Sequence, residues 1–428
     1  MNYFMERQEK IAGIPTRNEY SRDRARVIHS ASFRRLQGKT QVLGLGDSDF
    51  YRTRLTHSIE VSQIAGGLIE KFQSESKTHD EYIPSTQLIE AISLAHDIGH
   101  PPFGHGGEIA LNYCMRENGG FEGNAQTFRI CTRLGEFSQI NGLNLTRRTL
   151  LGILKYPATY SKCVNFNSYD NNNAPINISS FIPPKCIYDC DAEILEFAFL
   201  PFSELKDIFS EVKNLEKKHS RTFRKSLDTS IMELADDIAY GVHDLEDAVA
   251  LGFVDKDSWY ECFMKNTVVL EDSIYWENIS ENLFSRDGVR RKLAISKMVS
   301  RFIKACVIEE ANDAEEPILR MNANIKNNKK EELDFLKKYI YENVINSTEV
   351  QMLEYRGQQM LIKIFEAIKG NPDRLLPEKH RRIYASIDET DLKMRVISDY
   401  ISGTTDDYAT KLYHRLFTPA SGSVFEKL

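Results

Sequence analysis

The residues best suited to chemistry in this chain lie close together between positions 96 and 105, in the sequence HDIGHPPFGH. Three imidazoles and a carboxylate are concentrated there, and a glycine and two prolines end the helical pattern that precedes them. Imidazole and carboxylate groups occur together where a divalent cation with open coordination positions is held beside a group that moves protons. The alternative is a helix end at which the histidines interact with the last backbone carbonyls, as cationic side chains commonly do.

Two distant segments carry residues of the same kinds. His57 opens a helical stripe of apolar residues, although a single histidine on a helix is more often a structural residue than a ligand. Asp236, Tyr240 and Asp244 follow at i, i+4 and i+8, so they share one helix face. The same spacing is also expected for polar residues that form a ridge on the exposed face of a helix. The helix is nevertheless apolar enough to be buried, and buried carboxylates need a metal, a cation or hydrogen-bond donors.

Composition restricts the class of protein. The chain has 428 residues, 41% of them hydrophobic, which is enough for a sizeable core. Its seven cysteines lack CxxC spacing and predict reduced thiols. We find neither a signal-like N-terminus nor an apolar run approaching about 18 residues, so we expect a cytoplasmic protein that does not enter a membrane. A formal net charge of −7 argues against wholesale coating of nucleic acid but leaves room for a local basic cleft.

Hydrophobic periodicity is mostly helical, and alternating strand patterns are scarce. We therefore predict an all-α protein that forms one compact domain over residues 1–428, with small strand additions around Ile176 to Pro184. The stretch 165–184 is rich in Asn, Ser and Pro and predicts a surface insertion. Residues 280–428 are expected to form a C-terminal helical part.

A series of ordered motifs resembles those of the deoxynucleoside triphosphate triphosphohydrolases, the dGTPase family within the HD superfamily of metal-dependent phosphohydrolases. The motifs are FRRLQGKTQV at 33–42, RTRLTHS at 52–58, the HD segment at 96–108, FEGNAQ at 121–126, GILKYP at 152–157 and ADDIAY at 235–240. The resemblance extends over residues 21–247. DYISG at 399–403, with Thr405 and Asp406, is similar to the family's C-terminal segment. The resemblance implies an HD-domain helical bundle with the metal between facing helices.

The resemblance also implies a set of four metal ligands: His57, His96, Asp97 and Asp236. Asp237 competes for the last place. We favour Asp236, because Tyr240 and Asp244 then fall at the family's sugar-contacting positions.

Further roles follow from the same resemblance. His105 and Glu108 match the family's acid/base pair, with His100 as an auxiliary group. The residues expected to bind substrate are Gln41, Tyr240 and Asp244 at the sugar, Arg54, Lys155 and Tyr156 at the phosphates, and Asn124 at a further polar position. Arg34, Arg35 and Lys39 either add positive charge to the cleft or form an ordinary basic surface.

The implied activity is metal-dependent hydrolysis of deoxynucleoside triphosphates, dGTP first among them, to a deoxynucleoside and tripolyphosphate. Mn²⁺ or Mg²⁺ is the expected cofactor, and mixed nitrogen and oxygen ligands also suit Fe²⁺ or Zn²⁺. The expected partners are the dNTP substrate and further copies of the chain, as a hexamer or dimer. A nucleotide effector and single-stranded nucleic acid are further candidate partners. The alternatives are another HD phosphohydrolase, such as a nucleotidase or phosphodiesterase, and a catalytically silent HD protein that binds nucleotide or nucleic acid.

Overall fold

The computed structural model describes residues 2–10, 17–41, 52–76, 81–169, 176–266 and 272–419. The structure is 67% helical, with two small antiparallel sheets, so the prediction of an all-α HD-type fold is confirmed. Among the described residues, no helix is both long and apolar enough to cross a membrane.

The α-helices of the described residues, in chain order, are α1 Glu19–His29, α2 Ala31–Arg35, α3 Arg54–Glu75, α4 Thr86–Ala95, α5 Gly104–Met115, α6 Gly123–Arg129, α7 Arg147–Ile153, α8 Tyr160–Cys163, α9 Glu193–Phe199, α10 Ser203–Phe209, α11 Leu227–Ala250, α12 Lys256–Lys265, α13 Ser273–Leu283, α14 Gly288–Ala305, α15 Pro317–Arg320, α16 Asn327–Ile340, α17 Thr348–Gly370, α18 Pro372–Leu375, α19 Glu378–Ala385, α20 Thr390–Ser402 and α21 Asp406–Phe417. Short 3-10 turns and two π-helical turns, Ile130–Leu134 and Tyr341–Ile345, join some of them.

The strands lie elsewhere than predicted. β1 (Val212–Lys213) pairs with β2 (Arg221–Thr222), and β3 (Cys306–Glu310) pairs with β4 (Met321–Ile325), both antiparallel. The prediction of strand additions around Ile176 to Pro184 was wrong: that stretch contains a 3-10 turn, Ile178–Ser180, followed by irregular chain. The Asn177 side chain accepts from the Ser179 amide there, and the two prolines that follow have no amide hydrogen to offer a sheet.

The stretch 165–184, predicted as a surface insertion, includes residues 170–175, which lie outside the described residues. On either side of them, the rings of Tyr169 and Phe181 stack 5.1 Å apart and are both buried. The Asn112 side chain of α5 donates to the Tyr169 hydroxyl and to the Phe181 carbonyl. These contacts attach both ends of the stretch to α5.

The buried apolar side chains of the described residues form two main hydrophobic cores and a third, small cluster around Ala158 and Tyr160. The larger surrounds α3, α4 and α11 and contains Ile64, Ile92 and Ile238 from the predicted helical stripes. The smaller joins α5 and α17 to α20 and α21, with Leu111 and Leu361 at its centre. Each such fully buried aliphatic side chain contributes about 1.5–3 kcal/mol relative to exposure. These cores therefore hold the helices that carry His57, Asp236 and His105.

Local chain features set where these helices begin and end. Thr53 caps α3 in a reciprocal capping box with Thr56, which fixes the first turn of α3. α4 ends at Ala95, so His96 and Asp97 lie just beyond the helix, in the turn that follows it. A Cβ at Gly99 would lie 2.1 Å from the Thr127 amide nitrogen, so only glycine permits this close approach of two backbones.

Candidate active site

A cluster of imidazoles and carboxylates lies where α3, the turn after α4, and α11 meet. The ligand atoms of His57, His96 and Asp97 all lie within 4.8 Å of one another. Asp236 Oδ1 adjoins them, 3.1 Å from His57 Nε2 and 3.7 Å from His96 Nε2. Two atoms that each lie about 2.1 Å from one metal are about 3.0–3.4 Å apart. The spacing of the cluster is therefore close to what a shared cation requires.

His96 is already in the tautomer that a metal ligand needs. Its Nδ1 lies 2.7 Å from the Ser93 carbonyl and must donate to it, which leaves the lone pair on Nε2. This Nε2 is buried, lies 3.4 Å from Asp97 Oδ1 and has no hydrogen-bond partner within the part of the chain that the structure describes. An unpaired buried acceptor is costly unless a ligand completes it, so the donor set fits a divalent metal.

Asp97 links this cluster to its neighbours. Its Oδ2 accepts from Arg54 Nη1 at 2.5 Å, and its Oδ1 lies 3.1 Å from His100 Nδ1. Burial raises the pKa of Asp97, but the charges of His100, His96 and Arg54 outweigh it and hold the pKa well below its usual value. Burial, aided by Arg54, lowers the pKa of His100 to about 4. Asp97 is thus ionised and His100 neutral near pH 7.

His57 is held by an arginine that the sequence did not single out. Arg52 Nη2 lies 3.0 Å from His57 Nδ1 and can only donate, so Nδ1 accepts and Nε2 carries the proton toward Asp236. If Nε2 binds a metal, the proton must be on Nδ1, and the hydrogen bond from Arg52 to Nδ1 is then lost. Arg52 keeps its ion pairs with Asp244 and Glu60. Burial lowers the pKa of His57 to about 4, so the imidazole is neutral, as a ligand must be.

The two neighbouring carboxylates on α11 have different surroundings. Burial raises the pKa of Asp236, but His96, the hydrogen bond with His57 and the nearby Lys155 together lower it. Lys155 Nζ lies 3.6 Å from Asp236 Oδ2. Asp237 instead pairs with Lys337 at 2.6 Å on the outer side of the helix, and its side chain is 47% exposed. The geometry favours Asp236 over Asp237 as the fourth ligand.

A second cluster contains the residues that match the acid/base pair. His105 Nδ1 lies 3.2 Å from Glu108 Oε2, and the ring centroids of His105 and His100 are 5.7 Å apart. His105 is 73% exposed at its side chain, whereas Glu108 is buried and also accepts from the Gly123 amide at 2.8 Å. Burial raises the pKa of Glu108, but Lys185 and His105 lower it well below its usual value. An ionised Glu108 makes Nδ1 the protonated nitrogen of His105 and leaves Nε2 facing outward for proton transfer.

Two of the predicted sugar-contacting residues, Gln41 and Asp244, line a small pocket, and Tyr240 lies outside its lining. Gln41, Arg52, Asp244, Asp247, Ile340 and Val344 line it. Among the described residues, Gln41 Oε1 and Asp244 Oδ2 are buried acceptors without a hydrogen-bond partner. Burial raises the pKa of Asp244 to about 7, although Arg52 opposes the shift. Tyr240 lies one turn before Asp244, half-buried, with its pKa raised to about 12 by burial and by Asp244. The pocket therefore offers two unpaired acceptors beside a neutral phenol.

The remaining predicted residues divide into two groups. Asn124 lies beside the group of His105 and Glu108, where its Nδ2 donates to Glu122 Oε1. Tyr156 follows Lys155, and burial together with Glu233 raises the pKa of its hydroxyl. The three basic residues 34, 35 and 39 do not join the site. Arg34 and Arg35 line a separate surface depression, and the buried Lys39 ammonium donates to two backbone carbonyls.

The sequence analysis missed two cations. Arg52 appears in the quoted motif two residues before Arg54, but nothing in its spacing reveals that it contacts both His57 and Asp244. Lys185 follows the predicted insertion and lies 2.8 Å from Glu122 and 3.6 Å from Glu108. A lone lysine after two prolines carries no signal, because its partners are more than 60 residues away.

Comparison with known proteins identifies the family to which the chain belongs. A family model for the HD domain matches residues 54–148, and one for the phosphohydrolase-associated domain matches residues 323–415. Fold and site thus place the chain in the class of HD-domain phosphohydrolases. The deoxyguanosinetriphosphate triphosphohydrolase-like protein of Shewanella sediminis (strain HAW-EB3) is 48% identical over 427 residues, 98% of this chain and 96% of the relative. That of Vibrio parahaemolyticus serotype O3:K6 (strain RIMD 2210633) is 44% identical over 421 residues, 96% of each chain. The chain belongs to the family of deoxyguanosinetriphosphate triphosphohydrolase-like proteins.

Proposed function

We propose that this protein hydrolyses deoxynucleoside triphosphates, dGTP being the expected substrate, to a deoxynucleoside and tripolyphosphate in a metal-dependent reaction. The observation that carries the proposal is the juxtaposition, in the described part of the chain, of three groups: a cluster of ligand atoms, an exposed imidazole paired with a buried carboxylate, and a pocket with two unpaired acceptors. The names of the relatives support the same activity.

His57, His96, Asp97 and Asp236 would hold the metal. When bound, a divalent cation would neutralise charge on the α-phosphate and position or acidify water. Mn²⁺ and Mg²⁺ are our first candidates, and Fe²⁺ and Zn²⁺ also suit two imidazoles and two carboxylates.

The basic residues beside the ligands suit a triphosphate, which carries roughly four negative charges near neutral pH. Arg54 is buried beside Asp97, and its Nε has no partner among the residues that the structure describes, so it can donate to a phosphate oxygen. Burial lowers the pKa of Lys155, but Asp236 and Glu233 outweigh it and raise the pKa. Lys155 therefore keeps its charge, and with Tyr156 beside it would contact the phosphates.

The pocket at α11 suits a sugar without a 2′-hydroxyl. Gln41 Oε1 and Asp244 Oδ2 both need a donor, and a 3′-hydroxyl supplies one. The Tyr240 ring would lie under the sugar and leave a 2′-hydroxyl neither space nor partner. A site of this kind discriminates by leaving polar groups of the wrong substrate unpaired.

The proton transfers fall to His105, with Glu108 orienting it and His100 as an auxiliary. Water attacks the α-phosphorus, the bond from that phosphorus to O5′ breaks, and one proton passes to O5′ of the leaving deoxynucleoside. His105 Nε2 can move this proton, because Glu108 holds its Nδ1–H. Asn124 would add a polar contact beside this pair through its position next to Glu122.

We also propose a homo-oligomer, a hexamer or dimer, and a cytoplasmic location. A nucleotide effector and single-stranded nucleic acid stay predictions.

Product analysis tests the proposal. Purified protein is incubated with each of the four dNTPs and with GTP, in Mn²⁺ and in Mg²⁺, in water enriched in ¹⁸O. We expect deoxynucleoside and tripolyphosphate in equal amounts, with ¹⁸O in the tripolyphosphate and little reaction of GTP. Orthophosphate, pyrophosphate or a nucleoside monophosphate as product would show a different HD phosphohydrolase. Binding of a nucleotide without turnover would show a catalytically silent HD protein.

The matched control is the pair Asp97→Ala and Asp407→Ala. Asp97 lies in the ligand cluster, whereas Asp407 is an exposed carboxylate that pairs with Lys411 on α21. We expect the first variant to lose all metal-dependent turnover and the second to keep it.

A further inference from the structure

We propose that Asp406, the first residue of α21, is a positioning residue that fixes the two segments on which Gln41 and His105 stand. The inference rests on the function proposed above for its kinetic test. It concerns a carboxylate in the C-terminal part of the chain, outside the region matched by the HD-domain model.

The Asp406 carboxylate uses both oxygens on distant parts of the chain. Oδ2 accepts from the Thr40 amide at 3.0 Å and from the Thr40 hydroxyl at 2.6 Å. Oδ1 accepts from the Phe103 amide at 3.0 Å. Asp406 is 2% exposed, so water does not compete for these bonds. One buried side chain thus joins segments more than 300 residues away from it in the sequence.

The Phe103 contact controls the start of α5. Phe103 has φ 61°, a left-handed conformation that residues other than glycine rarely adopt and that its surroundings must hold. Its side chain fits where Gly357 has no Cβ, since a Cβ there would lie 2.6 Å from Phe103 Cβ. His105 follows two residues later in the first turn of α5. The hydrogen bond from Phe103 to Asp406 therefore helps to set the direction in which His105 leaves the turn.

The Thr40 contact controls the opposite wall of the site. Thr40 forms an isolated antiparallel bridge with Thr53, the residue that caps α3, and the next residue along the chain is Gln41. The Arg54 amide also donates to the Lys39 carbonyl at 3.1 Å. The hydrogen bonds from Thr40 to Asp406 therefore fix the position of Gln41 and of the start of α3, the helix that carries Arg54.

Helix capping does not account for the Asp406 carboxylate. Thr405 already caps α21, accepting from the Tyr408 amide. Asp407, by contrast, pairs with Lys411 one turn along the same helix and is exposed. The same C-terminal segment has a second link to the site, because Lys39 Nζ donates to the carbonyls of both His100 and Ser402.

The test compares D406N with D407N and T40V, by kcat, KM, metal content and melting temperature. D406N keeps the size of the side chain, but its NH₂ group cannot accept a hydrogen bond. Whichever way the new amide is turned, the backbone amide of either Phe103 or Thr40 loses its acceptor. Because misplacement by about 1 Å can cost up to about 100-fold, we expect kcat to fall at least about 10-fold with full metal content. T40V keeps its backbone hydrogen bond and should show a smaller loss of kcat with a raised KM, and D407N should match the wild type.

Kinetic constants of D406N that match the wild type would overturn the inference. So would a loss confined to melting temperature, which is what a purely structural residue gives. If D406N does not fold, T40V decides, and unchanged kcat and KM in T40V contradict the proposal. If the wild type itself releases no product, the proposed function fails, and amide hydrogen exchange then tests the inference separately. Exchange at Thr40 and Phe103 must be faster in D406N than in D407N, and equal exchange overturns it.

Discussion

Replacing each of the adjacent aspartates of α11 by alanine should have opposite effects on metal binding. The Asp236 carboxylate lies 3.1 Å from His57 Nε2 and 3.7 Å from His96 Nε2, so D236A removes one of four donors from the cluster. Loss of an outer-shell partner costs about 10–100-fold in metal affinity, so loss of a ligand should cost at least about 100-fold. A 100-fold loss of affinity corresponds to about 2.7 kcal/mol, because each factor of ten is about 1.36 kcal/mol.

D237A should leave the metal in place. Asp237 lies about 100° around the helix from Asp236 and pairs with Lys337 instead. Both partners are substantially exposed, at 47% and 27%, so the pair contributes at most about 1 kcal/mol to stability. The two variants each lose one carboxylate, at adjacent positions of the same helix, so each is the other's control.

The assay is metal content per chain after incubation with Mn²⁺ and desalting, together with the melting temperature with and without Mn²⁺. A metal at 100 times its dissociation constant stabilises the folded state by about 2.7 kcal/mol. We expect the wild type and D237A to show that stabilisation and D236A to show none. Metal retained by D236A and lost by D237A would refute the ligand assignment.

Three further predictions follow from the site. H105A should keep its metal and its fold, because His105 is exposed and makes one side-chain hydrogen bond, while product release falls at least about 100-fold; unchanged turnover would remove His105 from the mechanism. Y240A should narrow the preference for dNTPs over ribonucleotides by admitting the 2′-hydroxyl, measured as the ratio of kcat/KM for dGTP and GTP; an unchanged ratio would mean that the ring does not discriminate. Because burial lowers the pKa of His57 to about 4, protons should displace the metal only as the pH falls toward that value; loss of metal already near pH 6.5 would contradict the burial argument.

Part of the candidate site was predictable from local patterns, whereas its full ligand set and its acid/base pair were expected only from the resemblance to the dGTPase family. Asp236, Tyr240 and Asp244 share a helix face by spacing alone, and the glycine and prolines after Asp97 mark the end of α4. The apolar stripes of α3, α4 and α11 likewise identify the core faces of those helices, because a 3.6-residue period directly reports which side is buried.

The rest depends on contacts between distant segments, which no local pattern reveals. Arg52 stands 192 residues from Asp244, and its role arises only when α3 and α11 pack together. Asp406 resembled part of a family motif, yet its contacts with Thr40 and Phe103 could not be inferred from spacing. The strands were misplaced for the same reason. β3 does not alternate between polar and apolar residues, and the five alternating residues of β4 do not reveal a partner that lies across a loop containing a short helix.

We propose that three remote segments together hold one metal ion, with His57, His96, Asp97 and Asp236 as its ligands. Anomalous diffraction from crystals grown with Mn²⁺ tests it most directly. We predict one strong anomalous peak about 2.0–2.2 Å from ligand atoms of these four residues. A peak at the neighbouring group of His100, His105 and Glu108 instead, or no peak at either place, would contradict the account.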